Sequence, residues 1–292
     1  MLSKQNLAAA VLLTANVAAA QELTPISDWG DNPTGIGLDA YIPASVAEGA
    51  GVILALHGCG GSGPGYASDT DYISYADSNG FIVLFPSAMN NDNCWDVASA
   101  ESLTHDGGGE SNGLVNAVNW AISQGADPAK VFVTGSSSGC MMTNVLCGTY
   151  PEVFAAASCY SGVPAGCLAG SPGSSPGSAD PACAAGQVVK SGEEWAGIVS
   201  DMYPGYNGTY PKTMIWHGTA DTFVNYPNLE ETLKQWSAVF GIEASEEVAD
   251  TPLPGYTQLV YGDGSQLVGY SADGVGHTVP VSTETDLEWF GL

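Results

Sequence analysis

One stretch, Val131–Gly139, constrains the fold of this chain more than any other. It begins with the run Val-Phe-Val-Thr and continues as Gly-Ser-Ser-Ser-Gly, and a helix-like run follows at Cys140–Cys147. A strand, a tight Gly-x-Ser-x-Gly turn and a helix together predict a nucleophile elbow. In that arrangement the middle serine, Ser137, stands at the C-terminal end of a sheet strand, above the start of a helix.

Short apolar segments elsewhere in the chain fit such a sheet. Val52–Leu56 and Phe81–Phe85 are continuous apolar runs, which is the pattern of strands buried on both faces. Segments with helical periodicity alternate with them, for example the one that begins at Ser111 and Asn228–Phe240. We therefore predict an α/β fold with a mostly parallel central sheet and helices on both faces.

Residues 1–20 have the pattern of a secretory signal peptide. Lys4 supplies the positive charge, Leu7–Val17 the apolar centre, and Ala18–Ala20 an Ala-x-Ala cleavage site. The apolar run is shorter than the ~20 residues that a membrane span needs. The sequence therefore predicts a secreted, extracellular protein that is not membrane-bound, with residues 21–292 as a single domain.

Charge argues against several classes of partner. The 292 residues include 5 basic and 31 acidic side chains, which gives a formal net charge of −26, and none of the basic residues is arginine. Nucleic-acid binding depends on Lys and Arg at phosphates, so we do not expect it. The acidic pairs Asp69/Asp71 and Asp106/Glu110 lack EF-hand spacing and are interpreted as solvated surface. Neither a metal ion nor another cofactor is predicted.

Seven cysteines in a secreted chain predict disulfide bonds and at least one free thiol. If Cys140 and Cys147 share a helix, they lie about 10 Å apart along its axis, which is beyond disulfide reach. The sequon at Asn207, followed by Gly and Thr, predicts a glycosylation site at the surface.

The groups that would activate Ser137 follow it in the order serine, acid, histidine. Asp221 lies in a loop just after the predicted strand Thr213–Trp216, and His277 lies in a loop after the last predicted strands. We assign Ser137 as nucleophile, His277 as its base and Asp221 as the acid that orients the base. His217 is interpreted as a structural residue that braces the acid loop. The alternatives for the acid are Asp250 and Asp263.

Two backbone N–H groups should stabilise the oxyanion. Ser138, which follows the nucleophile, would supply one of them. The glycine-rich loop His57–Gly61 follows an early strand, and we assign the second donor to the N–H of Cys59. Trp95, Tyr160 and Trp216 are candidate substrate contacts that could stack on sugar or aryl groups, as could Tyr226. The alternative for most of them is core packing, and Trp95, in a polar loop, is the best candidate contact.

Six motifs occur along the chain in a characteristic order. They are Ala55–Gly61, Asn93–Asp96, Ser102–Gly108, Val133–Gly139, Trp216–Asp221 and Gly274–Pro280. Together they resemble the fungal acetylxylan and feruloyl esterases of carbohydrate esterase family 1, which are akin to polyhydroxybutyrate depolymerases. The resemblance covers nearly the whole mature chain and implies an α/β-hydrolase fold.

The resemblance also carries over site residues. It places the catalytic triad at Ser137, Asp221 and His277, and the oxyanion donors at Cys59 and Ser138. It implies the disulfides Cys59–Cys94 and Cys167–Cys183, and it leaves the states of three cysteines open: Cys140, Cys147 and Cys159. Some members carry a carbohydrate-binding module, which we do not expect in this chain.

The function that the resemblance implies is removal of acetyl groups from xylan by a monomeric serine carboxylesterase in plant cell-wall degradation. Feruloyl or dual specificity is the alternative, because Gly177–Ala182 has no aromatic residue where the acetyl branch has one. Trp95 resembles the acetyl branch, whereas Trp216–Asp221 resembles the feruloyl branch. Remoter alternatives are an esterase of polyesters or small esters and a non-catalytic carbohydrate-binding protein.

Overall fold

A computed structural model describes residues 22–292, so the predicted signal peptide lies outside the described residues. The strands of this part of the chain are β1 (Thr24–Pro25), β2 (Gly37–Tyr41), β3 (Val52–Leu56), β4 (Ile82–Ser87), β5 (Val131–Ser136), β6 (Ala156–Tyr160), β7 (Lys212–Gly218), β8 (Ala244–Ala249), β9 (Tyr256–Tyr261) and β10 (Leu267–Ala272). The helices are α1 (Gly63–Asp69), α2 (Tyr72–Asn79), α3 (Glu110–Ser123), α4 (Ser138–Thr149), α5 (Pro181–Ala184), α6 (Gly192–Met202), α7 (Pro227–Phe240) and α8 (Thr283–Phe290). None of these helices is long and apolar enough to cross a membrane.

All described strands join one sheet in the order β1-β2-β4-β3-β5-β6-β7-β10-β9-β8. The neighbours from β4 to β10 pair in parallel. Antiparallel strands extend the sheet at both edges, with β2 and β1 at one edge and β9 and β8 at the other. The predicted α/β fold with a mostly parallel central sheet is confirmed.

Alternate residues of the central strands point into two separate cores. In β3, Val52, Leu54 and Leu56 belong to a core that includes residues of α3, α4, α6 and α7. Ile53 and Ala55, between them, pack with residues of α1, α2 and α8 on the other face. Because helices cover both faces, every β3 side chain is buried and the strand is a continuous apolar run.

Two elements lack the sequence pattern of their type. α1 begins in a glycine-rich segment, where the Ser62 hydroxyl accepts a hydrogen bond from the Gly65 N–H. A Cβ on Gly63 would lie 2.0 Å from the Phe85 carbonyl oxygen, so the glycine lets this helix start directly against β4.

β8 is an exposed edge strand without an apolar face, so an alternation of apolar and polar residues does not reveal it in the sequence.

Three disulfides connect the loops and elements around the sheet. The structure contains the pairs Cys59–Cys94 and Cys167–Cys183 that the resemblance implied. A third pair, Cys140–Cys159, joins α4 to β6. Cys147 is a buried free thiol, and burial raises its pKa above the usual range. The three cysteines left open by the sequence therefore form one bridge and one free thiol.

The topology brings four loops to one edge of the sheet. The loops that follow β3, β5, β7 and β10 carry His57–Gly61, Ser137, Asp221 and His277, respectively. These strands run in parallel, so their carboxyl ends meet at the same edge. The loops that carry the predicted site residues therefore begin at the same edge of the sheet.

Candidate active site

Ser137 lies at a sharp turn between β5 and α4. Its backbone has φ 55° and ψ −118°, a conformation that non-glycine residues rarely adopt. A Cβ on Gly135 would lie 2.5 Å from the Gly139 backbone, and a Cβ on Gly139 would lie 2.1 Å from the Leu56 carbonyl oxygen. Both glycines are therefore needed for the chain to turn this tightly and lift Ser137 above the sheet.

Ser137, His277 and Asp221 form a continuous chain of hydrogen bonds. His277 Nε2 lies 2.9 Å from Ser137 Oγ, and His277 Nδ1 lies 2.7 Å from Asp221 Oδ2. A histidine with its Nδ1–H donated to a carboxylate presents a basic Nε2 to the serine. The arrangement can therefore remove a proton from Ser137 while holding the imidazole in one orientation.

The surroundings of Asp221 keep it ionised. Burial disfavours the charge, but hydrogen bonds from His217, His277 and the N–H groups of Phe223 and Val224 outweigh it and lower the pKa of Asp221 to about 2. The two histidines and the two backbone N–H groups thus hold the carboxylate, which remains ionised as an acceptor for His277 at neutral pH.

Two other histidines near the site have structural partners. His217 is buried, with Nε2 2.8 Å from the Val224 carbonyl oxygen and 3.4 Å from Asp221. His57 is also buried, and its Nε2 accepts the Ala88 N–H, while burial lowers its pKa. Both stabilise loops of the site. Among residues 22–292, no three His, Cys, Asp or Glu side chains are grouped to hold a metal ion.

The predicted oxyanion donors flank Ser137. Ser138 is the first residue of α4, so its N–H is among those at a helix start that lack an intrahelical partner. Cys59 borders the same cavity as Ser137 and His277. The preceding residue, Gly58, passes so close that a Cβ there would lie 3.4 Å from Ser137 Cβ. The His57–Gly61 loop is therefore close enough to Ser137 for its N–H groups to reach the carbonyl oxygen of an ester that Ser137 attacks.

Trp95 holds the two oxyanion segments together. Its backbone N–H donates to Ser138 Oγ at 2.9 Å, and its indole Nε1–H donates to the His57 carbonyl oxygen at 2.9 Å. The neighbouring disulfide Cys59–Cys94 joins the His57–Gly61 loop covalently to the segment that carries Trp95. Trp95 thus braces the site from beneath.

The structure corrects the prediction that three aromatic residues contact the substrate. Trp95, Tyr160 and Trp216 are at most 1% exposed. The Tyr160 hydroxyl donates to Asp286, and Trp216 stacks on Tyr270 with ring centroids 3.9 Å apart. Proximity to the site in sequence was misleading. Tyr160 and Trp216 pack in a core on one covered face of the sheet, and the Trp95 indole is buried against the His57 backbone.

A buried carboxyl group supports the Trp95 segment. Glu110, the first residue of α3, is 1% exposed, and its Oε2 accepts the Asp96 N–H at 2.7 Å. Burial raises the pKa of Glu110 to about 7. The interpretation of Asp106 and Glu110 as a solvated acidic pair is therefore wrong for Glu110, whose carboxyl faces the protein interior.

A largely apolar cavity of about 390 Å³ opens beside Ser137 and His277. Its principal walls are Met141, Val163, Leu168, Ala179, Phe223 and Val224. Most of these residues lie in loops without periodicity, so the sequence analysis did not identify them. Phe223 offered a local signal as an aromatic residue just after the acid loop, and it is 75% exposed, with its ring centroid 5.7 Å from that of His277.

Similarity to known proteins agrees with this geometry. The family model "Esterase PHB depolymerase" matches residues 37–244. Feruloyl esterase B of Talaromyces stipitatus is 45% identical over 94% of this chain and 76% of its own length. Acetylxylan esterase A of Aspergillus ficuum is 48% identical over 92% of this chain and 89% of its own length.

A solved structure shows the same architecture. The acetyl xylan esterase from Aspergillus awamori superimposes with a TM-score of 0.87 at 46% identity, over 92% of this chain and 99% of that one. Because a family model matches most of the chain and close relatives cover nearly all of it, this chain belongs to the PHB depolymerase esterase family of carboxylic ester hydrolases.

Proposed function

We propose that this chain is a serine esterase that removes ester-linked acyl groups from xylan, with Ser137, His277 and Asp221 as its triad. The observation that carries the proposal is the hydrogen-bonded chain from Ser137 to Asp221 beside an apolar cavity. The names of relatives such as acetylxylan esterase A support xylan as the polymer, and the feruloyl esterase name of others supports a feruloyl group as the alternative acyl group.

The acylation step follows from the geometry. His277 Nε2 takes the proton as Ser137 Oγ attacks the ester carbonyl carbon, and Asp221 stabilises the imidazolium that forms. The N–H groups of Cys59 and Ser138 donate to the carbonyl oxygen as it becomes negative. The ester C–O bond then breaks, and His277 returns the proton to the sugar oxygen.

The deacylation step reverses these roles with water. His277 removes a proton from a water molecule, whose oxygen attacks the acyl carbon on Ser137. The same two N–H groups stabilise the second oxyanion. The acid leaves when the bond to Ser137 Oγ breaks and His277 returns the proton to the serine, which restores the site.

Both acetyl and feruloyl groups fit the family relationship, and the cavity favours the larger one. One water molecule occupies about 30 Å³ in the liquid, and an acetyl methyl group is of similar size. A chamber of about 390 Å³ with apolar walls has room for an aromatic ring. Within Gly177–Ala182, Ala179 presents only a methyl group to the cavity, so no aromatic side chain from that stretch fills it.

A side-by-side rate comparison tests the proposal. The mature protein should hydrolyse both acetylated xylan and methyl ferulate, and we expect kcat/KM for methyl ferulate to be at least as high as for a small acetyl ester. Ser137→Ala should abolish both activities in a folded protein. Inactivity of the folded wild type on both substrates would contradict the proposed function.

Secretion, a single domain in residues 21–292 and a monomeric state are part of the same proposal. Three disulfides support an oxidising compartment, where such bonds persist. Asn207, in the exposed loop before β7, is accessible for glycosylation. Mass spectrometry of the secreted protein would determine its first residue and any glycan at Asn207.

A further inference from the structure

A second recess adjoins the apolar cavity across Gly58 and Thr278, which border both spaces. It has a volume of about 240 Å³ and is also lined by Tyr66, Asp69 and Pro280. A third recess, of about 480 Å³, continues from Gly58, Tyr66 and Asp69 along the glycine-rich loop to Asn93. We call these two recesses together the surface groove.

The surface groove differs from the cavity in exposure and polarity. Asp69, Asn93 and Thr278 are exposed at its rim. In the cavity, by contrast, walls such as Val163 and Leu168 are at most 5% exposed and apolar. The cavity therefore suits an apolar acyl group, whereas the groove presents a carboxylate, an amide and a hydroxyl to a solvated ligand.

The floor of the groove is held firmly. The Tyr66 hydroxyl is hydrogen-bonded to Ser136 Oγ at 2.9 Å, next to the nucleophile. Thr70 Oγ1 donates to the Tyr66 carbonyl oxygen at 2.8 Å. Asp69, between these two residues, borders both recesses. Its carboxylate is therefore presented at the rim by an ordered segment.

The reaction geometry points the alcohol part of the ester toward this groove. His277 must protonate the oxygen of the leaving sugar, so that sugar begins next to His277 Nε2. The segment that follows, residues 278–281, forms one wall of the groove. A polymer also has to continue past the ester in both directions, which a groove with Asp69, Asn93 and Thr278 exposed along its rim permits.

We propose that the surface groove binds the neutral sugar chain that carries the ester, with Asp69 as a specificity-determining residue. The inference rests on the proposed function and extends it. Sugar hydroxyl groups donate well to a carboxylate, and such charge-assisted bonds are stronger than neutral ones. Asp69 therefore binds chain hydroxyls at the groove rim while the acyl group occupies the cavity.

Charge makes the groove selective for neutral chains. None of the lysines of residues 22–292 lines it, and the chain contains no arginine that could pair with a uronate. Asp69 adds a negative charge at the rim, and two like charges close together repel each other. Uronate-bearing saccharides should accordingly bind more weakly than neutral ones of the same length.

The test compares Asp69→Asn with the matched control Asp71→Asn. Asp71 is an exposed acid two residues away that does not line the groove, so both variants lose one negative charge from the same surface. KM is measured for methyl ferulate and for a feruloylated or acetylated neutral xylo-oligosaccharide. We expect Asp69→Asn to raise KM for the saccharide ester, relative to methyl ferulate, about tenfold. Asp71→Asn should leave this ratio within about twofold.

A second measurement uses inhibition of saccharide-ester hydrolysis by unesterified neutral and uronate-bearing oligosaccharides. Asp69→Asn should reduce the preference for the neutral inhibitor, and Asp71→Asn should not. Equal KM ratios in both variants, with an active wild type, would overturn the groove assignment alone. A wild type that hydrolyses methyl ferulate but no saccharide ester would overturn the proposed function together with the groove.

Discussion

At the scale of single residues, two histidines contact the carboxylate of Asp221, but only His277 is hydrogen-bonded to Ser137. The second one, His217, is buried and bound to the Val224 carbonyl oxygen. This difference supports our proposal of His277 as the base and His217 as a bracing residue. Asp221 and His277 lie in the loops after β7 and β10, which are parallel neighbours in the sheet, so their order along the chain helped to predict that they meet.

We predict that His277→Gln lowers kcat at least about 10⁴-fold, because Ser137 loses its base. His217→Gln should lower kcat less than about 100-fold, since Asp221 keeps His277 and two backbone donors. Rates on 4-nitrophenyl acetate, measured below the thermal transition of each variant, check this. Comparable losses of kcat in the two folded variants would contradict the assignment of His277 as the base.

At the scale of elements, several independent contacts hold the loop that we propose as part of the oxyanion hole. The disulfide Cys59–Cys94, the indole of Trp95 and the carboxyl of Glu110 fix two loops that have few helical or sheet bonds of their own. A second disulfide, Cys167–Cys183, holds a loop that forms part of the cavity wall. Loss of the first disulfide should therefore lower kcat, whereas loss of the second should mainly lower stability.

Replacing both Cys59 and Cys94 by alanine should lower kcat for a small acetyl ester about tenfold to a hundredfold. Loss of a complete oxyanion donor costs about 10²–10³ in kcat, and a loosened loop costs less than that. The matched variant that removes Cys167–Cys183 should keep kcat within about threefold and instead lose stability, roughly 3 kcal/mol for a loop of this length. If both variants lost kcat equally, the distinction between the two loops would be wrong.

Elements with a clear pattern could be predicted from the sequence almost to the residue. β3 has the bounds of its apolar run, Val52–Leu56, and α7 begins one residue before the predicted helical segment Asn228–Phe240. The cavity wall could not be predicted, because its residues are brought together by loop conformation. The direction in which Tyr160 and Trp216 point also depends on which face of each strand meets α8, and that is set by tertiary packing.

At the scale of the whole molecule, three carboxyl groups make stability depend on pH in opposite directions. Hydrogen bonds overcome burial and lower the pKa of Asp221 to about 2, so its contribution is lost as the pH falls from about 4 to 2. Burial raises the pKa of Glu110 to about 7 and of Asp286 to about 6. Between about pH 4 and these values both carboxyl groups bind more protons in the folded state than in the unfolded state, so stability falls as the pH rises across that range and levels off above it.

We predict a stability maximum near pH 4 and a decline toward pH 7, which the large negative charge reinforces. Glu110→Gln should reduce the decline between pH 4.5 and pH 7 by on the order of 2 kcal/mol, because the amide oxygen can still accept the Asp96 N–H but does not ionise. Urea unfolding at several pH values measures the free energy of unfolding and thus this decline. An unchanged decline in Glu110→Gln would show that Glu110 is not responsible.

Covalent labelling shows directly whether Ser137 is the nucleophile. Diethyl 4-nitrophenyl phosphate phosphorylates an activated serine and releases nitrophenolate. Intact-mass analysis and peptide mapping should show one adduct per molecule, on Ser137, with hydrolysis lost in proportion to labelling and no adduct in Ser137→Ala. An adduct on another residue that abolishes activity, or full activity after complete labelling of Ser137, would show that Ser137 is not the nucleophile.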